Sequence, residues 1–263
     1  MTLPDLLLTN LAIILSCMVL LWLVSLPLKN ASIVDIFWGP GFAVVALATL
    51  LLVDELGPRQ WLLAILTSSW GLRLGVYLAM RNIGHGEDPR YAAWRQRVTD
   101  AGGNYSLVSL PRVFILQGVL IVFVALPVQA GQLAPGGDDL GLLSYLGALV
   151  WLIGFLFEAV GDWQLRRFKA DPANRGKVME GGLWRYTRHP NYFGNACLWW
   201  GIWLVACDGT GAWWTLIGPL LMTFFLLKVS GVSLLEKSLV ETKPGYADYI
   251  RRTSAFLPRP PKG

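Results

Sequence analysis

The chain alternates between long stretches without charge and short segments that carry nearly all of it. Seven stretches stand out: Leu6–Leu28, Ile36–Val53, Gln60–Met80, Val113–Gly137, Leu140–Phe157, Asn191–Cys207 and Gly209–Gly231. Only Arg73 interrupts the third, and only Lys228 the seventh. A helix needs about 20 apolar residues to cross the hydrocarbon of a bilayer, and a soluble helix would show a polar face every turn. The pattern therefore predicts an all-α integral membrane protein, a single seven-helix domain over residues 1–263. Its spans are expected at about 7–27, 35–53, 61–81, 113–132, 141–161, 191–207 and 211–231. The first stretch lacks a basic leader segment and an evident small-residue cleavage site, so it is expected to be a retained helix.

Lysine and arginine orient the spans. Basic residues gather in alternate connections: Lys29; Arg90, Arg95 and Arg97; the Arg166–Arg188 run; and the tail from Lys237 to Lys262. Arg59 is the exception. The expected topology has the amino terminus outside and the carboxyl terminus in the cytoplasm.

Composition agrees. Hydrophobic residues make up 54% and charged residues only 15%, against roughly 25% charged in soluble domains. Such a surface needs lipid, and disorder is excluded by the same figures. Cys17, Cys197 and Cys207 have no pairing or metal-site spacing, and His85 and His189 are the two histidines. No metal site is expected. The net charge of +5 finds no nucleic-acid-binding module, so nucleic acid is not an expected partner, and no obligatory protein partner is evident.

Ionisable groups at membrane depth are expensive and point to function. Trp70, Arg73, Tyr77 and Arg81 recur at helical spacing and share one face. Glu158, Asp162, Arg166 and Lys169 form a second such face. Asp35 opens the second span, and Glu236 follows the seventh. In a seven-helix bundle these groups can converge on a polar cavity open to the cytoplasm. The competing expectation is mutual neutralisation, with Asp162–Arg166 or Glu158–Arg73 pairs that only fix packing. An excess of cations in such a place calls for an anionic ligand.

The densest polar text runs from Glu158 to Tyr192. Asp171-Pro172 ends one helix, turn-forming Asn174, Gly176, Gly181 and Gly182 follow, and Pro190 opens the next. Free N–H groups at that helix start, with Arg188, His189, Asn191 and Tyr192 beside them, make an anion or carboxamide site.

The run GLWRYTRHPNYFG from Gly182, the preceding E-x-x-x-D-x-Q-L from Glu158 and the tail GYADYIRRTSAFLPRP resemble the bacterial branch of the steroid 5α-reductase family. The stretch NASIVDIFWG from Asn30 is similar to that branch too, and the pair Arg73-x-x-x-Tyr77 resembles the animal 5α-reductases. The same carboxy-terminal layout resembles sterol reductases and, more distantly, isoprenylcysteine carboxyl methyltransferases. The resemblance implies a membrane enzyme, placed in the bacterial inner membrane with its active site toward the cytoplasm. It implies NADPH as cofactor and reduction of the C4–C5 double bond of a 3-oxo-Δ4-steroid or similar enone lipid. By position, Asp162, Lys169, Lys177, Asn191 and Tyr249 fall where cofactor contacts are expected, within a cofactor half of about 158–258. Arg73 and Arg81 fall near the expected phosphates. Glu158, Arg166, Arg188, His189, Tyr192 and Glu236 complete the candidate cofactor set. This chain departs from the family where Asn195 stands in place of a common Glu, and where Trp70 stands in place of a catalytic Tyr.

Enone reduction needs a hydrogen-bond donor at the carbonyl oxygen, where negative charge develops, and a proton for the α-carbon. Asp35, Tyr77 and Tyr91 are the candidate catalytic residues, with Asp35 expected to be protonated and donating. Phe37, Trp38 and Trp70 are candidates for a substrate slot entered from the lipid. No strand–GxGxxG–helix unit is present, so binding of a dinucleotide would not be Rossmann-like. A membrane S-adenosylmethionine-dependent methyltransferase is the alternative, because the RHPxYxG text is shared with that group. A transporter is a second alternative, without the internal repeats such proteins often show.

Overall fold

The computed structural model describes residues 1–137, 139–229 and 232–262, with the side chains of 233–235, 237 and 238 outside the description. Positions 230 and 231 of the expected seventh span, and the Lys237 side chain, are therefore outside it. Among the described residues the chain is helical and has no strand.

The helices are α1 (Leu3–Leu28), α2 (Ile33–Leu52), α3 (Pro58–Asn82), α4 (Pro89–Asp100), α5 (Tyr105–Val124), α6 (Leu126–Leu133), α7 (Leu142–Ala170), α8 (Pro190–Cys207), α9 (Ala212–Val229), α10 (Val232–Thr242) and α11 (Tyr246–Arg252). Six of them, α1, α2, α3, α5, α7 and α9, are long and apolar enough to cross a membrane. The expected sixth span is a helix, α8, but it is not one of those six; Asn191 and Asn195 dilute its first two turns. The expected fourth span is shifted. Its helix starts at Tyr105, includes a wider π-turn over Leu110–Ile115, and stops at Ala125 ahead of Pro127. The remainder to residue 132 is the separate short helix α6. The fifth extends past its expected end to Ala170.

The chain forms two compact units. The first comprises Met1–Gly141 and Val205–Thr215, the second Leu142–Leu204 and Leu216–Gly263. In the first unit α2 and α3 approach backbone to backbone at Gly39 and Gly71. A Cβ built on Gly39 would meet the Gly71 carbonyl oxygen at 2.4 Å, and one on Gly75 would meet the Pro40 ring at 2.5 Å. Small residues permit this contact where lipid supplies no hydrophobic drive between helices. Leu6, Ile14, Met18, Phe42, Leu63, Phe114 and Ile121 fill the first unit's interior. Asn10 links three helices there, donating to Thr49 at 2.8 Å and to Gln129 at 3.0 Å.

Arg59, the residue that broke the charge pattern, is buried in this unit. Its guanidinium donates to the carbonyls of Gly131 (3.2 Å), Asp208 (2.9 Å), Ala134 (3.1 Å) and Pro135. It ties the start of α3 to the carbonyls at the end of α6 and just after Cys207, so its placement follows carbonyl geometry rather than loop charge.

The second unit repeats the small-residue device. Gly147, Gly154 and Gly161 recur every seven residues on α7, opposite Gly201, Gly194 and Pro190 of α8. A Cβ on Gly194 would meet the Gly154 oxygen and the Glu158 nitrogen, both at 2.4 Å, and one on Gly201 would meet the Gly147 oxygen at 2.6 Å. That contact brings the acids of α7 beside the first turns of α8.

Candidate functional site

In the first unit the site is built on the turn after α1. Lys29 closes α1 in the left-handed region, and Asn30 accepts the Ser32 amide at 3.0 Å to start α2. The 82–91 segment is laced onto this turn. Glu87 accepts the Ala31 amide at 2.7 Å and takes two bonds from Arg95, both at 2.8 Å. The Asp88 amide donates to the Ser32 hydroxyl at 3.1 Å. Asp88 then caps α4 by accepting the Arg90 amide at 2.9 Å.

This lacing delivers Tyr91 to Asp35. The phenol donates to Asp35 Oδ1 at 2.8 Å, Arg90 lies 3.4 Å from Oδ2, and Gln117 of α5 donates to the phenolic oxygen at 3.3 Å. Two of the three expected catalytic residues, 56 positions apart, thus share a hydrogen bond. In that bond Asp35 is the acceptor and Tyr91 the donor. Burial and the neighbouring Asp35 carboxylate push the Tyr91 phenol well above its ordinary pKa, so it stays protonated. Burial opposes ionisation of Asp88, but the bonds from Arg90 outweigh it and hold that carboxyl below its usual range. Tyr77 belongs to a different contact on α3, where the Arg73 guanidinium lies 5.8 Å from its ring centre. Arg81 is exposed at the end of α3 and bonds Asn82 at 3.0 Å. Of the expected substrate-slot residues, Trp38 packs on Phe42 at 5.3 Å and Phe42 on buried Trp70 at 5.4 Å, while Phe37 is half-buried.

In the second unit Glu158 and Asp162 are buried on α7, and Asn191 donates to Asp162 at 3.0 Å. The segment between the helices is held by Gln164, which accepts the Leu183 amide at 3.0 Å, and by the Trp184 indole, which donates to the Gly161 carbonyl at 3.1 Å. Arg188 and Glu236 form a two-point ion pair, Nε to Oε1 at 2.7 Å and Nη2 to Oε2 at 3.1 Å. Arg188 Nη1 donates to the carbonyls of Ile250 and Thr253. His189 lies 3.1 Å from Glu236 and stacks on Tyr192 with ring centres 5.3 Å apart. Burial alone would raise the Glu236 pKa; the bonds from His189 and Arg188 overcome it and hold the carboxyl at about 2.

The tail closes over this group. The Arg188 amide donates to Ser254 at 2.9 Å, the Thr187 hydroxyl to Phe256 at 2.9 Å, and buried Tyr249 to the Trp184 carbonyl. Burial pushes the Tyr249 phenol above its ordinary range. Arg188 and Tyr249 thus spend most of their donors on the chain itself. Arg166, Lys169 and Lys177 have exposed side chains. Sequence reasoning passed over Glu87, Arg95 and Gln117, which position Tyr91; the only local signal was the dense EDPRY text.

The chain belongs to the family described as protein of unknown function DUF1295, whose model matches residues 21–253. It is similar to an uncharacterized protein of Schizosaccharomyces pombe, at 26% identity over 270 residues, which covers 91% of this chain and 76% of that protein. It is also similar to a probable O-methyltransferase of Ustilaginoidea virens, at 32% identity over 88 residues, a third of this chain and 31% of the other. No solved structure matches this chain.

Proposed function

We propose that this protein is an integral membrane reductase that uses NADPH to saturate the C–C double bond of a 3-oxo-Δ4-steroid or similar enone lipid. In this reading seven helices span the membrane, α8 among them, the amino terminus is outside, and the reaction faces the cytoplasm of a bacterial inner membrane. The observation that carries it is the Tyr91–Asp35 bond of 2.8 Å. Enone reduction wants a donor kept protonated at the developing enolate oxygen. A phenol whose pKa is raised by burial meets that need, and the carboxylate orients it. A methyl transfer to oxygen would instead want a base.

NADPH would supply hydride to the β-carbon of the enone. On enone binding the single Tyr91 O–H, held ready by Asp35, would turn to the carbonyl oxygen while Gln117 keeps the phenolic oxygen in place, and a proton from water would reach the α-carbon. The donor set fits the cofactor chemically. Arg81, Arg166, Lys169 and Lys177 present exposed cations for phosphates. Buried Asn195 has an amide oxygen with no hydrogen-bond partner among the described residues, an acceptor for a carboxamide N–H. Arg73 of the first unit and Glu158, Asp162, Asn191 and Tyr192 of the second would complete that set, and Arg188, His189, Glu236 and Tyr249, largely bonded to one another and to the chain, would hold the segment that carries it.

The second reading, transfer of a methyl group from S-adenosylmethionine to a lipid, is favoured by the likeness to a probable O-methyltransferase. Purified protein given NADPH and a 3-oxo-Δ4-steroid, and in parallel labelled S-adenosylmethionine with total lipid, separates the two. The reductase reading requires NADPH consumption with a saturated ketone as product.

A further inference from the structure

On α7, Glu158, Asp162, Arg166 and Lys169 occupy one sector of about 80° at roughly 100° per residue. A cleft of about 350 Å³ opens on the other side of the same helix, between its last turns and the 171–182 segment. Its wall includes Trp163, Arg167 and Phe168 of α7 and Asp171, Asn174 and Met179 of the segment. Those α7 residues lie roughly 105–145° around the helix from the centre of the first sector. The cleft is therefore separate from the proposed cofactor face.

The depth of this cleft is set by the length of α7. From Leu142 to Trp163 is 21 residues, about 32 Å at 1.5 Å per residue, and the hydrocarbon core is about 30 Å thick. A span that begins at Leu142 puts Trp163 at the far hydrocarbon boundary, the usual place for an interfacial tryptophan. Arg167 lies about 6 Å further along, in the headgroup layer. Its guanidinium sits over the Trp163 ring at 5.6 Å from the centre.

The cleft has one cation and one anion. Asp171 is held in place because it accepts the Ala173 amide at 2.9 Å and the Asn174 side chain at 3.4 Å. Phe168 and Met179 add apolar wall to the same cleft. A phosphate next to an ammonium, joined to an acyl chain, matches this arrangement. Inorganic phosphate offers no ammonium and no apolar part, and a purely anionic headgroup meets Asp171 as a like charge.

We propose that this cleft binds the headgroup of a zwitterionic phospholipid with a primary ammonium, phosphatidylethanolamine by chemistry, with phosphate on Arg167 and ammonium on Asp171. The inference rests on the membrane reading of α7 and not on the reductase reading.

The test is native mass spectrometry of delipidated full-length protein with added dioleoyl phosphatidylethanolamine, phosphatidylcholine or phosphatidylglycerol. The wild type should retain phosphatidylethanolamine roughly tenfold better than phosphatidylglycerol, the scale of one charge-assisted bond. Arg167→Gln should lower retention of both lipids by a similar factor. Asp171→Asn keeps the oxygen that accepts the Ala173 amide and should abolish the preference. Soluble glycerophosphoethanolamine at equal concentration should not displace the lipid, because it lacks the apolar part. Equal retention of the lipids by wild type, no effect of Arg167→Gln in a variant with unchanged melting temperature, or displacement by the soluble headgroup would each overturn the proposal. Displacement of the lipid by NADPH would also overturn it and assign the cleft to the cofactor. Loss of reductase activity alone, with lipid retention intact, counts against the proposed function and leaves this site standing.

Discussion

The two polar clusters use the same kinds of residue to opposite ends. In the first unit a phenol, a carboxylate and a guanidinium meet at Asp35, which Tyr91 bonds at 2.8 Å and Arg90 approaches to 3.4 Å. In the second unit Arg188 makes four bonds to the chain itself, two to Glu236 and two to tail carbonyls. The second cluster closes the tail over the start of α8. The first holds a protonated phenol by a single bond to Asp35. A charge at the edge of a membrane is therefore no signal of chemistry by itself; what separates the two clusters is how firmly the donor is tied, by one bond at Tyr91 and by four at Arg188.

Substitutions can break that contrast. The largest effect is expected at Glu236. Glu236→Gln leaves buried Arg188 without its counter-charge, and removal of one partner of a buried pair costs about 3 kcal/mol. Thermal unfolding in detergent should show the loss, and an unchanged melting temperature would mean that the pair does not hold the tail. Tyr91→Phe should act on the other side of the comparison. It removes the donor while keeping the ring, so turnover should fall by about a hundredfold with little change in melting temperature. Asp35→Asn should reduce turnover less, because Tyr91 remains, and cofactor affinity should stay unchanged. Full turnover in Asp35→Asn would end its assignment as the orienting group.

A smaller effect is expected at the two glycine contacts. Gly39→Ala and Gly154→Ala each force apart a backbone contact that a methyl group cannot enter, at a cost of about 2 kcal/mol. The melting temperature of each variant measures it, and a loss in only one would show that the two helix pairs are not held alike. Acid acts on the Arg188–Glu236 pair without a substitution. Because the folded pKa of Glu236 is depressed to about 2 from an ordinary 4.5, its contribution is fully present above pH 4.5. It is lost as pH falls toward 2. Melting temperature followed from pH 6 to pH 2 should decline over that window in the wild type and less so in Glu236→Gln.

Much of the fold was legible because bilayer thickness sets helix length. The long charge-free stretches became helices near their expected positions. Ala125 was not legible: nothing in the apolar run 113–137 marks a break except Pro127, and proline is tolerated inside α1 at position 27 and inside α2 at position 40. The amphipathic helix α4 was also hidden, being short and polar. For the site, spacing revealed the α7 face, since residues three and four apart are neighbours. Spacing cannot reveal pairs such as Arg188–Glu236, 48 positions apart, or Tyr91–Asp35, 56 apart. Arg59 shows the converse, a charge that looked like a topology error and proved to be a clamp on four carbonyls.

The most direct measurement is turnover of a 3-oxo-Δ4-steroid by the purified protein in detergent with NADPH, with the product identified and Tyr91→Phe run beside the wild type. The account predicts a saturated 3-ketone from the wild type and about a hundredfold less from the variant. No NADPH consumption across several enone lipids, together with transfer of a labelled methyl group from S-adenosylmethionine to lipid, would contradict it.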